Sequence, residues 1–414
     1  MTPAAIISKK RDGGRLSKEE ISFFIDGFTQ GNISDGQMAA LSMAIFFQSM
    51  TDEETAYLTE AMLRSGATLQ RTSSSLPRVG KHSTGGLGDK TSLVLAPLLA
   101  SCNLLIPKLS GRGLGITGGT LDKLESIPGY RTNLSEEEIS NQLDTIGCVI
   151  TGATESIVPA DRKLYELRDV TGTVPSIPLI TSSIMSKKLA ESLDALVLDV
   201  KYGSGAFMAT REQAEKLAHS LIDTGRNMGV ATEAVLSDMN QPLGEMVGNA
   251  CEVNEAMAVL RGEGPMEVVD LVIELCSHLL LMTKSVSSLG NAKKVLWEKL
   301  MGGFAYEKFM KMVSAQGGKL TDAGLETASP VAVEACRSGR IVAIDGQRLG
   351  EAVIQLGGGR RFKGEKIDHS VGLKMYARID DQVLEGEKLL EILAPADRAN
   401  RIASFLQHAF TIVS

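Results

Sequence analysis

Three capping-box sequences fall between Ser17 and Glu54, and they commit the start of this chain to helix. In Ser17-x-x-Glu20, Ser34-x-x-Gln37 and Thr51-x-x-Glu54, two side chains can satisfy the open amides of a first helical turn. Apolar residues at helical spacing follow each box: Ile21-Phe24-Ile25-Phe28, Met38-Leu41-Ala44-Ile45 and Ala56-Tyr57-Met62-Leu63. Three helices of this kind cannot bury all their apolar faces against one another. A later helical segment or a second subunit must cover the rest.

The texture changes after the polar stretch Gln70–Pro77. Short apolar runs (Leu104-Leu105-Ile106, Cys148-Val149-Ile150, Ala195–Val200, Glu233–Leu236) alternate with helices capped at Ser135-x-x-Glu138 and Thr210-x-x-Gln213. Such alternation predicts an α/β domain with a parallel or mixed sheet. Residues 160–193 again carry a helical pattern and are expected to fold back onto the N-terminal helices. Beyond Arg337, the strand–turn patterns Ile341–Gly346 and Asp380–Gly386 predict a small α+β unit. A chain of 414 residues exceeds one ordinary core. The expectation is therefore a helical domain (1–70, completed by 160–193), an α/β domain (75–155 and 195–335) and a C-terminal α+β domain (336–414).

Charge limits the partners. Lys and Arg number 43 against 50 Asp and Glu, a net charge of −7, and there is no long basic run. That argues against a nucleic-acid or anionic-membrane surface, so an anionic ligand needs positive charge concentrated locally. Five widely spaced cysteines form no CxxC pair or metal-ligand cluster and read as buried, reduced thiols. No apolar run is long enough to span a bilayer, and the N-terminus lacks the order of a signal peptide. The expected location is the cytoplasm.

Three segments carry the chemistry. The first is Gly80-Lys81-His82-Ser83-Thr84-Gly85-Gly86-Leu87-Gly88-Asp89-Lys90-Thr91-Ser92, after which an apolar helix begins at once. Glycine amides, a lysine, hydroxyls and a helix N-terminus converging on one spot suit a phosphate oxyanion. A plain strand–helix turn explains the same glycines equally well, and the segment is not a Walker A loop. The second, Ser110–Glu125, holds Gly113-x-Gly115-x-x-Gly118 but lacks the later acidic strand end of a dinucleotide site. Its Ser110 and Thr120 read better as hydroxyl donors to an anion. The third runs from Tyr165-x-x-Arg168 through Ser183 to Lys187, and Ser183 and Lys187 fall on one helical face.

Together these segments closely resemble the thymidine/pyrimidine-nucleoside phosphorylase family. The likeness continues through Leu198-Asp199-Val200-Lys201-x-Gly203-Ser204-Gly205 and Asp238-Met239-Asn240-Gln241-Pro242-Leu243-Gly244. It implies a small helical domain and a larger α/β domain, with the active site in the cleft between them. On matching positions it implies phosphate held by Lys81, Ser83, Ser92, Ser110 and Thr120. The pyrimidine would be held by Arg168, Ser183 and Lys187, with His82 and Tyr165 nearby, and His82, Arg168 and Lys187 would act in the chemistry. No cofactor is required in that family, although some bacterial members bind a monovalent cation such as K+. Its counterpart here would use Gly88, Lys90, Leu243 and Met246 through backbone oxygens, and the Glu255 carboxylate. The implied substrates are inorganic phosphate and a pyrimidine nucleoside, thymidine before uridine, and the implied assembly is a homodimer through the helical domain. A phosphoribosyltransferase and a nucleotide-sensing module are the rival readings.

Two departures stand out. Ile116 replaces a histidine common in relatives, which is expected to remove a polar contact near the base. Thr171-Gly172-Thr173-Val174-Pro175 places proline where relatives do not. Trp297 and Met282, Met301, Met310 and Met312 read as packing residues, and Gly357-Gly358-Gly359 as a turn near the cleft.

Overall fold

The computed structural model describes residues 1–71, 73–113, 116, 118–362 and 364–414. Four helices come first: α1 (Pro3–Arg11), α2 (Lys18–Gln30), α3 (Asp35–Gln48) and α4 (Asp52–Arg64). Next come β1 (Val79–Ser83), α5 (Thr91–Ser101), β2 (Ile106–Ser110), α6 (Thr120–Glu125), α7 (Glu136–Ile146) and β3 (Cys148–Gly152). Helices α8 (Pro159–Thr171) and α9 (Ile177–Leu189) precede β4 (Ala195–Tyr202), α10 (Arg211–Asn227), β5 (Ala231–Asp238) and β6 (Met246–Gly248). A helical run follows: α11 (Ala250–Leu260), α12 (Met266–Met282), α13 (Leu289–Met301) and α14 (Phe304–Ala315). The chain ends with β7 (Pro330–Glu334), β8 (Gly339–Ile344), α15 (Gly346–Gln355), β9 (Gly372–Met375), β10 (Gln382–Val383), β11 (Lys388–Leu393), α16 (Ala396–Gln407) and β12 (Phe410–Val413).

All three N-terminal capping boxes form, at the starts of α2, α3 and α4. Helix α1 has no counterpart in the sequence reading. Its short apolar run is capped by Thr2 and anchored by the buried Lys10–Glu54 pair at 2.9 Å. The 160–193 segment does fold back: Leu164 of α8 and Leu179 of α9 share one core with Phe24, Phe28, Leu41 and Leu58. That core also takes in Leu105, Leu109 and Val149, which seats the helical bundle on β2 and β3.

Strands β1, β4 and β5 form a parallel sheet in the order β1-β4-β5, and β2 and β3 form a parallel pair. A parallel bridge between Arg78 and Leu105 links the two. The C-terminal sheets, β6-β9-β11-β7 and β10-β8-β12, are antiparallel. Because β6 comes from the α/β segment and pairs with β9, the two regions are stitched together. They share one core, in which Leu95 and Val272 lie with Ile341, Leu373 and Ile392.

The chain crosses between the helical bundle and the sheet region three times, at residues 65–78, 152–158 and 190–194. At the first two crossings Ala67 N donates to Ser156 O at 2.8 Å, and an added Cβ on Gly66 would come within 2.7 Å of Val158 N. Val158, a β-branched residue, sits there in the left-handed region with φ 46°. Three packing expectations do not hold. Trp297 is 41% exposed and Met301 40% exposed, since both lie on solvent-facing stretches of the helical run. Cys336 is exposed and Cys102 half-buried, while the other three cysteines are buried. Among the described residues, no helix is long and apolar enough to cross a membrane.

Candidate active site

A cleft of about 1680 Å³ lies between the bundle and the sheet region. Ordinary small-molecule pockets occupy roughly 300–1,000 Å³, so this one stands open. One wall consists of loop ends. Ser83 comes from the end of β1, Gly85 and Gly86 from the β1–α5 connection, Ser92 from the first turn of α5, Ser110 from the end of β2, and Thr120 from the start of α6. The opposite wall is helical, with Tyr165 and Arg168 on α8 and Ser183 and Lys187 on α9. Lys187 Nζ donates to Ser183 Oγ at 3.0 Å, the contact expected of residues four apart on one helix.

Lys81 departs from expectation. It is fully buried beneath the loop and does not line the cleft. Its ammonium lies 3.0 Å from Asp199 Oδ2 and donates to Thr91 Oγ1 at 2.5 Å. The reason is a buried charge cluster: Asp199 lies 3.0 Å from both Lys81 and Lys201, and Asp89 lies 3.7 Å from Lys81, so the charges are paired in a dry site. Burial opposes ionisation of Asp89, but Lys201, Lys81 and Lys123, with the Ser83 hydroxyl, outweigh it and hold its pKa well below the usual carboxylate value. Ser83 Oγ donates to Asp89, so this hydroxyl too is engaged within the loop. At the helix start, Asp89 Oδ1 accepts from Thr91 N at 3.3 Å.

A lysine that does line the cleft on this side is Lys108, which sequence reasoning missed. Its Nζ donates to the Lys81 carbonyl at 2.8 Å. Burial and the neighbouring Lys188 and Lys81 ammonium groups push its pKa well down. A charged residue inside the apolar run Ile106-Pro107-Lys108-Leu109, two residues before Ser110, was the available signal. His82 also faces the cleft. Burial, then Lys188, Lys108, Lys187 and Lys81, depress its imidazole well below the ordinary 6.5, so it is neutral at neutral pH.

On the helical wall, Arg168 Nη1 and Nη2 donate to the carbonyls of Leu179 and Val174 at 2.9 and 2.7 Å, and Nε donates to Thr173 O at 3.4 Å. These bonds lock the guanidinium onto the 173–179 segment, and burial lowers its pKa to about 10. Lys187 is ion-paired with Asp161, a cleft residue that sequence reasoning missed. Burial raises the Tyr165 pKa.

Ile116 does not stand at the base end of the cleft. It lines a separate, small pocket with Val247, Gly350 and Val353, and a Cβ on Gly350 would come within 2.7 Å of its carbonyl. The short glycine fingerprint falls partly on Gly115, outside the described residues. The turn at Gly357–Gly359 leads into Arg360, Arg361 and Phe362, which line the cleft.

The segments chosen as a cation cradle do come together, with one difference. Lys90 contributes its side chain: Nζ donates to Leu243 O and Met246 O, both at 2.9 Å, and to the Glu255 carboxylate.

Residues 4–66 match the glycosyl transferase family helical bundle domain, and residues 76–306 match the a/b domain of the same family. Residues 340–413 match the pyrimidine nucleoside phosphorylase C-terminal domain. The chain is 46% identical over 412 residues to the pyrimidine-nucleoside phosphorylase of Staphylococcus haemolyticus, covering 98% of this chain and 95% of that protein. The Staphylococcus epidermidis protein of the same name is 45% identical over 414 residues, covering 99% and 96%. Among solved structures, anthranilate phosphoribosyltransferase from Thermus thermophilus superposes with a TM-score of 0.62 at 18% identity, over 75% of this chain and 99% of that one, a likeness of fold. With its three domain matches in order and relatives similar over nearly its whole length, the chain belongs to the pyrimidine-nucleoside phosphorylase family of glycosyl transferases.

Proposed function

We propose that this protein catalyses phosphorolysis of pyrimidine nucleosides, thymidine first among them, to give the free base and a pentose 1-phosphate. The observation that carries the reading is the pairing of unlike walls across one cleft. Ser92, Ser110, Thr120, the loop glycines and Lys108 line one side, while Arg168, Ser183 and Lys187 line the other. The first wall suits a phosphate and the second a planar base with carbonyl oxygens. The names of the relatives support the same chemistry.

In this reading phosphate is the nucleophile, and no organic cofactor takes part. A phosphate oxygen bonds to the sugar C1′ as the C1′–N1 bond breaks. The electron pair passes to N1 and spreads over the base carbonyl oxygens, where Lys187 and Arg168 donate hydrogen bonds. Ser92, Ser110, Thr120 and Lys108 align the phosphate, while Lys81 supports the loop from below with its charge. Neutral His82 has one N–H to offer a base carbonyl. The main contributions are alignment and stabilisation of developing charge.

A homodimer through the helical domain belongs to this proposal. Phe23, Met43 and Phe47 are exposed on α2 and α3, Phe47 by 75%, a surface that a second copy would cover. Five free cysteines fit a cytoplasmic protein. The test is base release from thymidine, deoxyuridine and uridine with and without inorganic phosphate. Phosphate-dependent release, with the highest kcat/KM for thymidine, is expected. No release from any of the three overturns the reading, and a uridine preference overturns its thymidine part. Sedimentation velocity tests the dimer.

A further inference from the structure

The family resemblance implied a monovalent cation among the oxygens around Leu243, Met246 and Glu255. The residues present do not fit one. Lys90 is fully buried, and its ammonium meets three acceptors, the carbonyls of Leu243 and Met246 at 2.9 Å and the Glu255 carboxylate. An ammonium has three donors and no acceptor, so this set satisfies it completely. The carboxylate neutralises its charge, as a buried charge requires. The Gly88 carbonyl is also engaged, since it accepts from Lys90 N at 2.8 Å.

The surroundings are shaped closely around that ammonium. Gly244, at φ 72°, approaches so near that a Cβ there would lie 2.9 Å from Lys90 Nζ. Gly88, also at φ 72°, would bring a Cβ to 2.5 Å from the Leu243 carbonyl. The carboxylate is oriented in turn, because Glu255 Oε1 accepts from Glu245 N at 2.8 Å. An added cation would have to displace the ammonium from the same oxygens.

We infer that Lys90 is a built-in cation: its tethered ammonium takes the place of a bound monovalent ion, and the protein neither binds nor needs K+ there. The tether has a structural effect. Lys90 immediately precedes α5, whose first turn carries Ser92 into the cleft. The three bonds of its side chain therefore fasten the candidate phosphate loop to the β5–β6 connection and to α11, without help from the salt content of the medium.

The test reads stability and ion density, so it is independent of the proposed activity. Thermal midpoints of the full-length protein are compared in choline chloride and in KCl at equal ionic strength, and crystals are soaked in thallium(I) as a K+ probe. Equal midpoints and no anomalous peak between Leu243 O, Met246 O and Glu255 are expected. A saturable K+-dependent rise, or a thallium peak at that point, overturns the inference. In Lys90→Ala the oxygens are left without their cation. The midpoint is expected to fall by several degrees in choline and to recover at least partly with K+, and thallium should now appear. An unchanged midpoint, or a loss that K+ does not repair, overturns the equivalence of ammonium and ion. Should Lys90→Ala fail to fold, the two wild-type measurements still decide.

Discussion

The two oxygens of the Asp161 carboxylate have different surroundings. One accepts from Lys187, and the other is buried without a hydrogen-bond partner among the described residues. A carboxylate that spends only half its capacity holds the ammonium in place yet keeps an acceptor in reserve at the cleft. Lys187→Ala is expected to lower kcat by roughly a hundredfold or more, the usual loss on removing one donor to developing charge. Asp161→Asn keeps the shape but turns an amide toward the ammonium. A smaller kcat loss with little change in the KM for phosphate is expected, measured by steady-state kinetics with each substrate varied. His82 gives a pH prediction. Its imidazole is depressed by burial and four ammonium groups, so on acidification the unfolded chain takes up this proton first. Between the depressed value and about 6.5, stability therefore falls as pH drops. Thermal midpoints from about pH 8 to pH 5 should show a shallower acid-side loss in His82→Gln than in the wild type.

At the scale of elements, the β1–α5 connection and the β5–β6 connection are coupled at glycines. Gly244→Ala would place a methyl against Glu255 and Lys90 in a left-handed conformation. A loss of about 1–3 kcal/mol from the backbone alone is expected, read by urea unfolding. Much at this scale was legible in the sequence. The capping boxes identified their helices because they are local, with donor and acceptor three residues apart, and the apolar runs marked β2, β3, β4 and β5. Helix α1 was overlooked although Thr2 and Pro3 are a local start signal; its anchor, Lys10 meeting Glu54 across the bundle, has no local signature. The cleft residues of the two walls were legible as motifs. The burial of Lys81 was not, because it depends on Asp199, which enters from a neighbouring parallel strand. Lys90 looked like a backbone contributor for the same reason: its acceptors lie more than a hundred positions away in the chain.

For the whole molecule, the open cleft implies motion. One wall is built on α8 and α9 and the other on the loop ends of the sheet region, and the three crossings near residues 65–78, 152–158 and 190–194 are the places where rotation can occur. Small-angle scattering should show a smaller radius of gyration when phosphate and thymine are added together than with either alone. An unchanged radius would mean that the walls act at their present separation. The crossings also bear on how the protein is made. The bundle is assembled from two stretches of chain, and α8 and α9 emerge only after the first half of the sheet region. At a synthesis rate of about 5–20 residues per second, helices α1–α4 wait roughly five to twenty seconds for their partners. During that interval Phe24 and Phe28 have no finished core. A nascent chain arrested near residue 150 should therefore recruit chaperones that one released beyond residue 200 does not.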